Sequence, residues 1–559
     1  MKNRIKEILK EIVKKKWRDF DVEKIEVSYP SDEKFGDFTT NVSMMLANFT
    51  KKDPIEIAEQ IKEDKSLIDV EDLAKIEIVH PGYINFYLSN KYFAKEINDI
   101  LKKDKEWGKL EINSGKKYLF EHSSPNLFKP FHIGHLVNNS IGESLVRILK
   151  KSGTEVMTLS FPSDVSPGIA KTVWAIKNKG WENDMTIGKI GEAYVFGTAK
   201  YNEDEGIKKE VDEINHKIYG KGEFEEKDIY EKGQKISLDY FRKITKRLGS
   251  DFDDLIFESE AEKAGKEVVE KNIPSVFEKS DGAVIFPGSK YGLFDNVFIN
   301  SNGFGTYLAK DIGLLKIKFE KFDFDKSITI TDVEQKDHFR LVEKSAELIN
   351  KDWSEKSEFI QHGRLNFVQE KISSRYGNVP LAEDLIRDIK EKVFDKIKDH
   401  DLLDNKKNDI AEKIAVGALK YSILKSSTGK NIIFDFNKSI AFEGDSGPYL
   451  QYTYVRARSI LRNVQDVKNV KNVRNVPTVG KNVLKFPQAI EMSLKNYSPH
   501  HIANFLFELA SEFNSFYSHT KVLDEENPNY GYNLALTQAV AITLKNGLDL
   551  LGIETVEKM

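Results

Sequence analysis

The chain contains no cysteine, which excludes disulfides, thiolate zinc sites and a cysteine nucleophile together. It also lacks any run of about 18 apolar residues, the length a membrane-spanning helix needs. Its start, Met1-Lys-Asn-Arg-Ile-Lys-Glu7, is charged and amphipathic rather than a signal peptide. A cytoplasmic protein with no membrane association is therefore expected. Nor is there a charge excess: 85 basic and 89 acidic residues leave a net charge of −4. No whole-molecule field announces a nucleic-acid partner, so any RNA contact must be local. The 11 histidines contain no HExxH-like spacing, and neither structural zinc nor another protein-held metal is expected. What the chain does have is length: at roughly 100 to 200 residues per domain, it accommodates about three to four domains.

The most informative stretch is Glu121-His-Ser-Ser-Pro-Asn-Leu-Phe-Lys-Pro-Phe-His-Ile-Gly-His135, two imidazoles three positions apart on a glycine turn that opens a helix. Lys117 to His122 reads as a short buried strand. After His135, Val137, Ile141, Leu145 and Ile148 or Leu149 recur at helical steps, and Gly153 follows as a stop. The apolar run from Thr154 to Phe161 then reads as a returning strand, so the whole is one β-α-β unit of a parallel sheet. Unsatisfied N–H groups and the positive end of the helix dipole at such a turn attract a triphosphate, and Gly134 permits close approach. His132 and His135 can donate hydrogen bonds as charge builds at the α-phosphorus, with Lys129 adding a positive charge just upstream.

His132-Ile-Gly-His135 is the HIGH signature of class I aminoacyl-tRNA synthetases, and Ser123-Ser-Pro-Asn-Leu-Phe-Lys-Pro130 before it resembles the arginyl-tRNA synthetase family. Downstream, Glu370-Lys-Ile-Ser-Ser-Arg-Tyr-Gly-Asn378 resembles the KMSKS loop. Such a mobile loop could close Lys371 and Arg375 over the β- and γ-phosphates, stabilising charge mainly in the transition state. By the resemblance, Ser373 and Ser374 join the ATP contacts. Ser374 stands where the general signature has its second lysine, a variation for which Lys129 is implied to compensate. The resemblance implies a Rossmann-type parallel-sheet catalytic domain with an N-terminal α+β domain and a C-terminal all-α helical domain. It also implies ATP with Mg²⁺ as the energy source.

A guanidinium needs carboxylates and planar acceptors where water is mostly excluded. Glu121 ends the first strand, and Ser123 and Asn126 lie in the turn after it. Thr306-Tyr-Leu-Ala-Lys-Asp-Ile312 puts Tyr307 and Asp311 four apart, on one face if helical. Gln335-Lys-Asp-His338 follows the run from Ser327 to Thr331, at the carboxyl end of another expected parallel strand. These positions match the family's Tyr-x-x-x-Asp and Gln-x-x-His elements. The resemblance implies that Glu121 and Asp311 contact the guanidinium, while Ser123, Asn126, Tyr307 and Gln335 shape the pocket. One departure is clear: Ser160-Phe-Pro-Ser-Asp-Val-Ser-Pro-Gly168 stands where the family has an Asn-Tyr-x-Gly-Asp-Trp-Gly-x-Gln-like run, and only Asp164 survives.

Three regions are expected. Residues 1–110 carry Gly36-Asp-Phe-Thr-Thr-Asn41 and Gly82-Tyr-Ile-Asn85, which resemble the family's additional tRNA-contacting domain. Residues 111–395 hold both signatures and a charged helical insertion near 201–248. Residues 396–559 read as helical, with Gly447-Pro-Tyr-Leu-Gln-Tyr-Thr-Tyr-Val-Arg-Ala-Arg458 resembling the start of the anticodon-binding domain. There Tyr452, Tyr454, Arg456 and Arg458 combine rings that stack on bases with guanidiniums that hold phosphates. The closing residues 550–559 resemble the family's docked C-terminus. The Lys/Arg-Asn-Val triplets between Val467 and Val476 suit neither helix nor strand and read as a solvated loop, with a basic tRNA-contacting arm as the alternative.

The implied function is ATP-dependent attachment of L-arginine to tRNA(Arg) by a monomer that needs tRNA even for activation. A nucleotidylyltransferase sharing the HxGH turn would be shorter and lack the helical C-terminal region. A catalytically impaired tRNA-binding paralogue is the alternative, motivated by the altered 160–168 run and opposed by intact His132, His135 and Lys371.

Overall fold

A computed structural model describes every residue except 221, 369–379, 399–402, 463, 465, 466, 468, 469, 471 and 472. Lys371, Ser373, Ser374 and Arg375 thus lie outside the described residues. The chain forms two compact units that do not follow chain order. One comprises Met1–Trp107, Ala457–Lys485 and Ser511–Ile542; the other comprises Gly108–Arg456, Phe486–Ala510 and Thr543–Met559.

In the first unit, β1 (Phe38–Thr40), β2 (Leu73–Val79) and β3 (Tyr83–Leu88) form an antiparallel sheet in the order β1-β3-β2. Helix Lys2–Lys16 buries Ile5, Leu9, Ile12 and Val13, spaced three or four apart, in one core with Ile84 and Phe86. The Asp37 carboxylate accepts the Leu88 N–H at 2.7 Å and pairs with Lys481 at 2.8 Å. The triplet tract departs from the solvated loop expected of it. The Asn98 amide brackets Val470, donating to its carbonyl at 2.7 Å and accepting its N–H at 3.0 Å, and Val473 is buried. Polar triplets hide an apolar residue at every third position, which gives the tract something to dock with.

The second unit is built on a parallel sheet. Its strands in chain order are β4 (Lys117–Glu121), β5 (Glu155–Ser160) and β6 (Asp254–Leu255), then a separate antiparallel trio β7 (Glu278–Ser280), β8 (Ala283–Phe286) and β9 (Asn296–Ile299). β10 (Lys326–Asp332) and β11 (Ser357–His362) follow, then the parallel pair β12 (Leu365–Phe367) and β13 (Ile432–Phe434). The main sheet runs β11-β10-β4-β5-β6, every neighbour parallel. The expected β-α-β unit is β4, helix Ile133–Lys151 and β5. Strand order reverses between β4 and β10, and the crevice beyond the carboxyl ends of such strands is where open α/β sheets bind ligands.

Between β5 and β6 stand four helices, Pro167–Lys179, Ile187–Glu203, Glu205–Gly220 and Lys227–Arg247. The insertion begins well before the expected 201. Ser166 caps the first of these helices and Pro167 occupies its first turn, a start signal close to β5. The later helices include Asp404–Leu424, Gly447–Ile460 and His500–His519. The C-terminus is docked as expected: Leu551, Ile553 and Val556 are buried, and the Gly552 carbonyl accepts from the fully buried Lys420 ammonium at 2.9 Å. Among the described residues, no helix is long and apolar enough to cross a membrane.

Helix Tyr307–Lys321 is set against helix Glu258–Lys271 by an unusually close crossing. A methyl group at Gly265 or Gly313 would overlap the carbonyl oxygen of Ala309 or Ala261 respectively, so backbone meets backbone there. Gly265→Ala and Gly313→Ala should each lower unfolding stability by about 1–3 kcal/mol through overpacking. Urea unfolding against the unsubstituted protein checks this.

Candidate active site

Helix Ile133–Lys151 begins at the carboxyl edge of the sheet with His132 as its N-cap. The His132 Nδ1 accepts the Gly134 N–H at 3.1 Å, and the His135 Nδ1 accepts the His132 N–H at 3.3 Å. Both protons must therefore sit on Nε2, leaving each ring with one outward donor. The rings stack with centroids 3.7 Å apart. Burial, reinforced by Lys129, pushes the His132 pKa down to about 4. His135 is held well below its ordinary value by burial, then by His132 and Lys129. Two neutral donors thus stand at the helix N-terminus without repelling each other. Lys129 lies over the Tyr194 ring at 5.4 Å, its pKa lowered by burial.

The backbone at this turn is more fully used than the sequence implied. The Ile133 N–H donates to the Pro380 carbonyl at 3.0 Å, and the Gly134 N–H is spent on His132. A buried donor cannot wait unpaired for a ligand at low cost, so the outward Nε2–H groups and the dipole are what remain on offer at these two positions. The same contact shows where the KMSKS-like segment re-enters. Ala382 donates its N–H to the Phe131 carbonyl at 3.0 Å, so the chain just beyond residues 369–379 is bonded to the histidine turn. Upstream of the segment, the Val368 N–H donates to the Phe434 carbonyl at 3.1 Å.

Glu121 ends β4, is buried, and faces Thr329 on β10. Its Oε2 lies 2.5 Å from the Lys318 ammonium and accepts from the Thr329 hydroxyl at 3.2 Å. Tyr307 opens helix Tyr307–Lys321 and is exposed, and one turn on, Asp311 meets His338 Nε2 at 2.5 Å. The Tyr-x-x-x-Asp and Gln-x-x-His elements are thus joined directly. Gln335 is exposed, with its Oε1 accepting the Asp332 N–H at 3.3 Å. Asn126 is exposed beside a bridge to Ser163.

Two expected ligand residues are turned elsewhere. Ser123 has φ +57° and its hydroxyl is buried, accepting from Asn139 at 3.0 Å and bonded to His122 at 2.9 Å. Tyr454 is buried at 3% exposure and cannot stack on a base. Two residues apart on a helix, Tyr452 and Tyr454 point to nearly opposite sides. Tyr452 is half-buried under the Arg456 guanidinium, at 4.8 Å from its ring, and Arg458 is exposed. Asp164 serves as a cap: its carboxylate accepts the Ser259 N–H at 2.9 Å and the Ser259 hydroxyl at 2.7 Å.

Sequence reasoning missed Asn138, Asn139 and Lys318. Asn138 accepts the Ser123 N–H at 2.7 Å and donates to the Ile330 carbonyl at 3.0 Å, lacing β4 to β10 through the helix. Asn139 also donates to Ser250 at 2.9 Å. Their signal was visible, since polar residues among Val137, Ile141 and Leu145 have no cheap place in a buried helix.

A parallel sheet with a neutral histidine pair at the helix after its first strand, matched over residues 96–436 by a class I synthetase catalytic-domain model, is the catalytic domain of a class I aminoacyl-tRNA synthetase. Residues 96–436 match the family model described as tRNA synthetases class I (R), catalytic domain. Residues 1–88 match the arginyl tRNA synthetase N terminal domain, and residues 450–559 match the DALR anticodon binding domain. The chain belongs to the arginyl-tRNA synthetase family. It is 30% identical to an arginine–tRNA ligase of Clostridium perfringens and 31% identical to one of Clostridium acetobutylicum, in each case over 97% of both chains. In fold it resembles the arginyl-tRNA synthetase of Thermus thermophilus, with a TM-score of 0.80 over 100% of both chains at 24% identity.

The buried imidazoles carry a pH signature. Unfolded, His132 takes up a proton near 6.5; folded, it refuses one until about 4. The unfolded state therefore binds more protons in this window, and stability falls as pH drops from about 6.5 to about 4. Urea midpoints across that range should fall less steeply in His132→Asn, and an equal slope would refute a buried neutral ring.

Proposed function

We propose that the chain is an arginine–tRNA ligase that activates L-arginine with ATP and transfers it to the terminal ribose of tRNA(Arg). The observation that carries this reading is the common origin of two kinds of group. The Nε2–H pair of His132 and His135 and the carboxylate of Glu121 sit at opposite ends of one turn, beyond the switch between β4 and β10. The paired Asp311 and His338 rise from the neighbouring elements.

In this reading Glu121 and Asp311 hold the guanidinium, with Tyr307, Asn126 and Gln335 around it, while Ser123 acts through its strained backbone and its bond to Asn139. The arginine carboxylate then attacks the α-phosphorus of ATP, the α–β bridging P–O bond breaks, and pyrophosphate leaves. His132 and His135 donate to the phosphate oxygens where negative charge grows. Because both rings are neutral, they stabilise the transition state by hydrogen bonds without binding ground-state ATP as cations would. Gly134 leaves room at the phosphates, Lys129 supplies a fixed charge, and Lys371, Ser373, Ser374 and Arg375 engage the β- and γ-phosphates from the loop. A ribose hydroxyl next attacks the activated carbonyl and AMP departs.

ATP enters as its Mg²⁺ complex. Residues 1–110 and the helical residues 396–559 flank the catalytic residues 111–395 and contact tRNA, the latter through Tyr452, Arg456 and Arg458. The enzyme works as a monomer in the cytoplasm and activates arginine with tRNA bound.

The test is ATP–pyrophosphate exchange across the twenty amino acids, with and without total tRNA, followed by charging with labelled arginine. Exchange with arginine alone, increased by tRNA, is expected. Replacing both His132 and His135 by alanine should cut charging by 10²-fold or more while tRNA affinity holds; an unchanged rate would remove their assigned role.

A further inference from the structure

Lys318 is 1% exposed and sits deep in the second unit, yet its ammonium is spent on the carboxylate proposed to bind arginine. Its place on the helix explains the reach. Tyr307, Asp311 and Lys318 are separated by four and seven positions and share one face. Helical side chains lean toward the N-terminus, so Lys318 extends back toward the carboxyl edge where Asp311 stands. Its Nζ also donates to the Thr329 hydroxyl at 3.2 Å, and Thr329 donates onward to Glu121 Oε2 at 3.2 Å. Three groups therefore close a triangle on one oxygen. Among the described residues, Glu121 Oε1 accepts no hydrogen bond.

The helix carries a second buried lysine that serves as a comparison. Lys310 meets Glu258 at 2.6 Å and donates to the Val165 carbonyl at 3.2 Å. That pair braces the 160–168 run; its ammonium lies over the Tyr307 ring at 5.0 Å and grips no carboxylate assigned to the substrate.

We propose that Lys318 is a positioning residue for arginine recognition: with Thr329 it clamps Oε2 of Glu121, so that Oε1 is held toward the pocket to receive the substrate guanidinium. This rests on the arginine–tRNA ligase reading. The clamp answers a physical difficulty of such a site. A buried carboxylate awaiting a cationic substrate has no counter-ion while the pocket is empty, and an unpaired buried charge is costly. A resident ammonium on one oxygen supplies that counter-ion and fixes the carboxylate plane, and the other oxygen keeps its hydrogen-bonding capacity. The guanidinium then meets an oriented acceptor instead of a rotating one. Pre-orientation of this kind is worth large factors, since a misplacement of about 1 Å costs on the order of 10²-fold.

The experiment is arginine-dependent ATP–pyrophosphate exchange in the presence of tRNA, with KM for arginine and for ATP measured separately on the full-length protein. Lys318→Met should raise the arginine KM by on the order of ten- to a hundred-fold and leave the ATP KM unchanged. Lys318→Arg, which keeps the charge, should recover most of the loss. Glu121→Gln should raise the arginine KM as well, and the double variant Lys318→Met/Glu121→Gln should be no worse than Glu121→Gln alone, because the clamp then has nothing to hold. A general structural role would instead move both KM values and add in the double variant. Should Lys318→Met fail to fold, Thr329→Val removes the hydroxyl link without an unpaired charge, and a rise of a few-fold in arginine KM alone is expected. An unchanged or lowered arginine KM in Lys318→Met, or in Thr329→Val where that variant carries the test, overturns the inference. Absence of arginine-dependent exchange in the unsubstituted protein overturns the functional reading itself, so the two failures are distinct.

Discussion

Helix Ile133–Lys151 is buried along almost its whole length, and that burial governs the chemistry at its N-terminus. Water is excluded from most of its surface, so its polar groups turn to partners inside the protein, although the Asn139 Oδ1 finds none. Asn138 and Asn139 spend their amides on the strand ends, Ser144 donates to the Leu550 carbonyl at 2.8 Å, and Arg147 is tied to Glu143 at 2.6 Å. The same exclusion discharges His132 and His135. Two imidazolium rings stacked 3.7 Å apart in a dry site would repel strongly, whereas two neutral rings with fixed tautomers cost little and keep one donor each.

The carboxylates beside them meet the opposite condition. Glu121 and Asp311 are buried or half-buried acids, and each has a basic neighbour, Lys318 and His338 respectively. Lys318 thus balances the Glu121 charge, and Asp311 is hydrogen-bonded to His338. The helix that brings Asp311 and Lys318 into place owes its position to the glycine crossing at Gly265 and Gly313, where absent side chains let two backbones touch. Backbone contact of that kind resists sliding, and the acidic pocket inherits its rigidity.

Much of this was open to reading in the chain. The strand, turn, helix and returning strand around His132 follow from periodicity, and their observed limits differ from the expected ones by a residue or so. The Ser327 to Thr331 strand was legible from its apolar run, whereas the helix at Tyr307 was read only as a condition for Tyr307 and Asp311 to share a face. The helical insertion was harder, because its charged surface masks where it starts. The valines of the triplet tract were hidden by their polar neighbours. Tyr454 was misassigned because residue type says which groups can stack on a base but not which side of a helix is covered.

The sequence by itself determined the class of chemistry, since the histidine pair, the glycine between them and the acidic residues near strand ends are local patterns with local consequences. It determined the absence of disulfides and thiolate metal sites too. Tertiary structure alone decided that both histidines are neutral, that Ser123 turns inward, that the Ile133 N–H is already taken by Pro380, and that Lys318 grips Glu121 from nearly 200 positions away in the chain. Protonation and hydrogen-bond allegiance depend on what excludes water from a group and which partner lies nearest. Those are properties of packing between distant segments, which no pattern along the chain encodes.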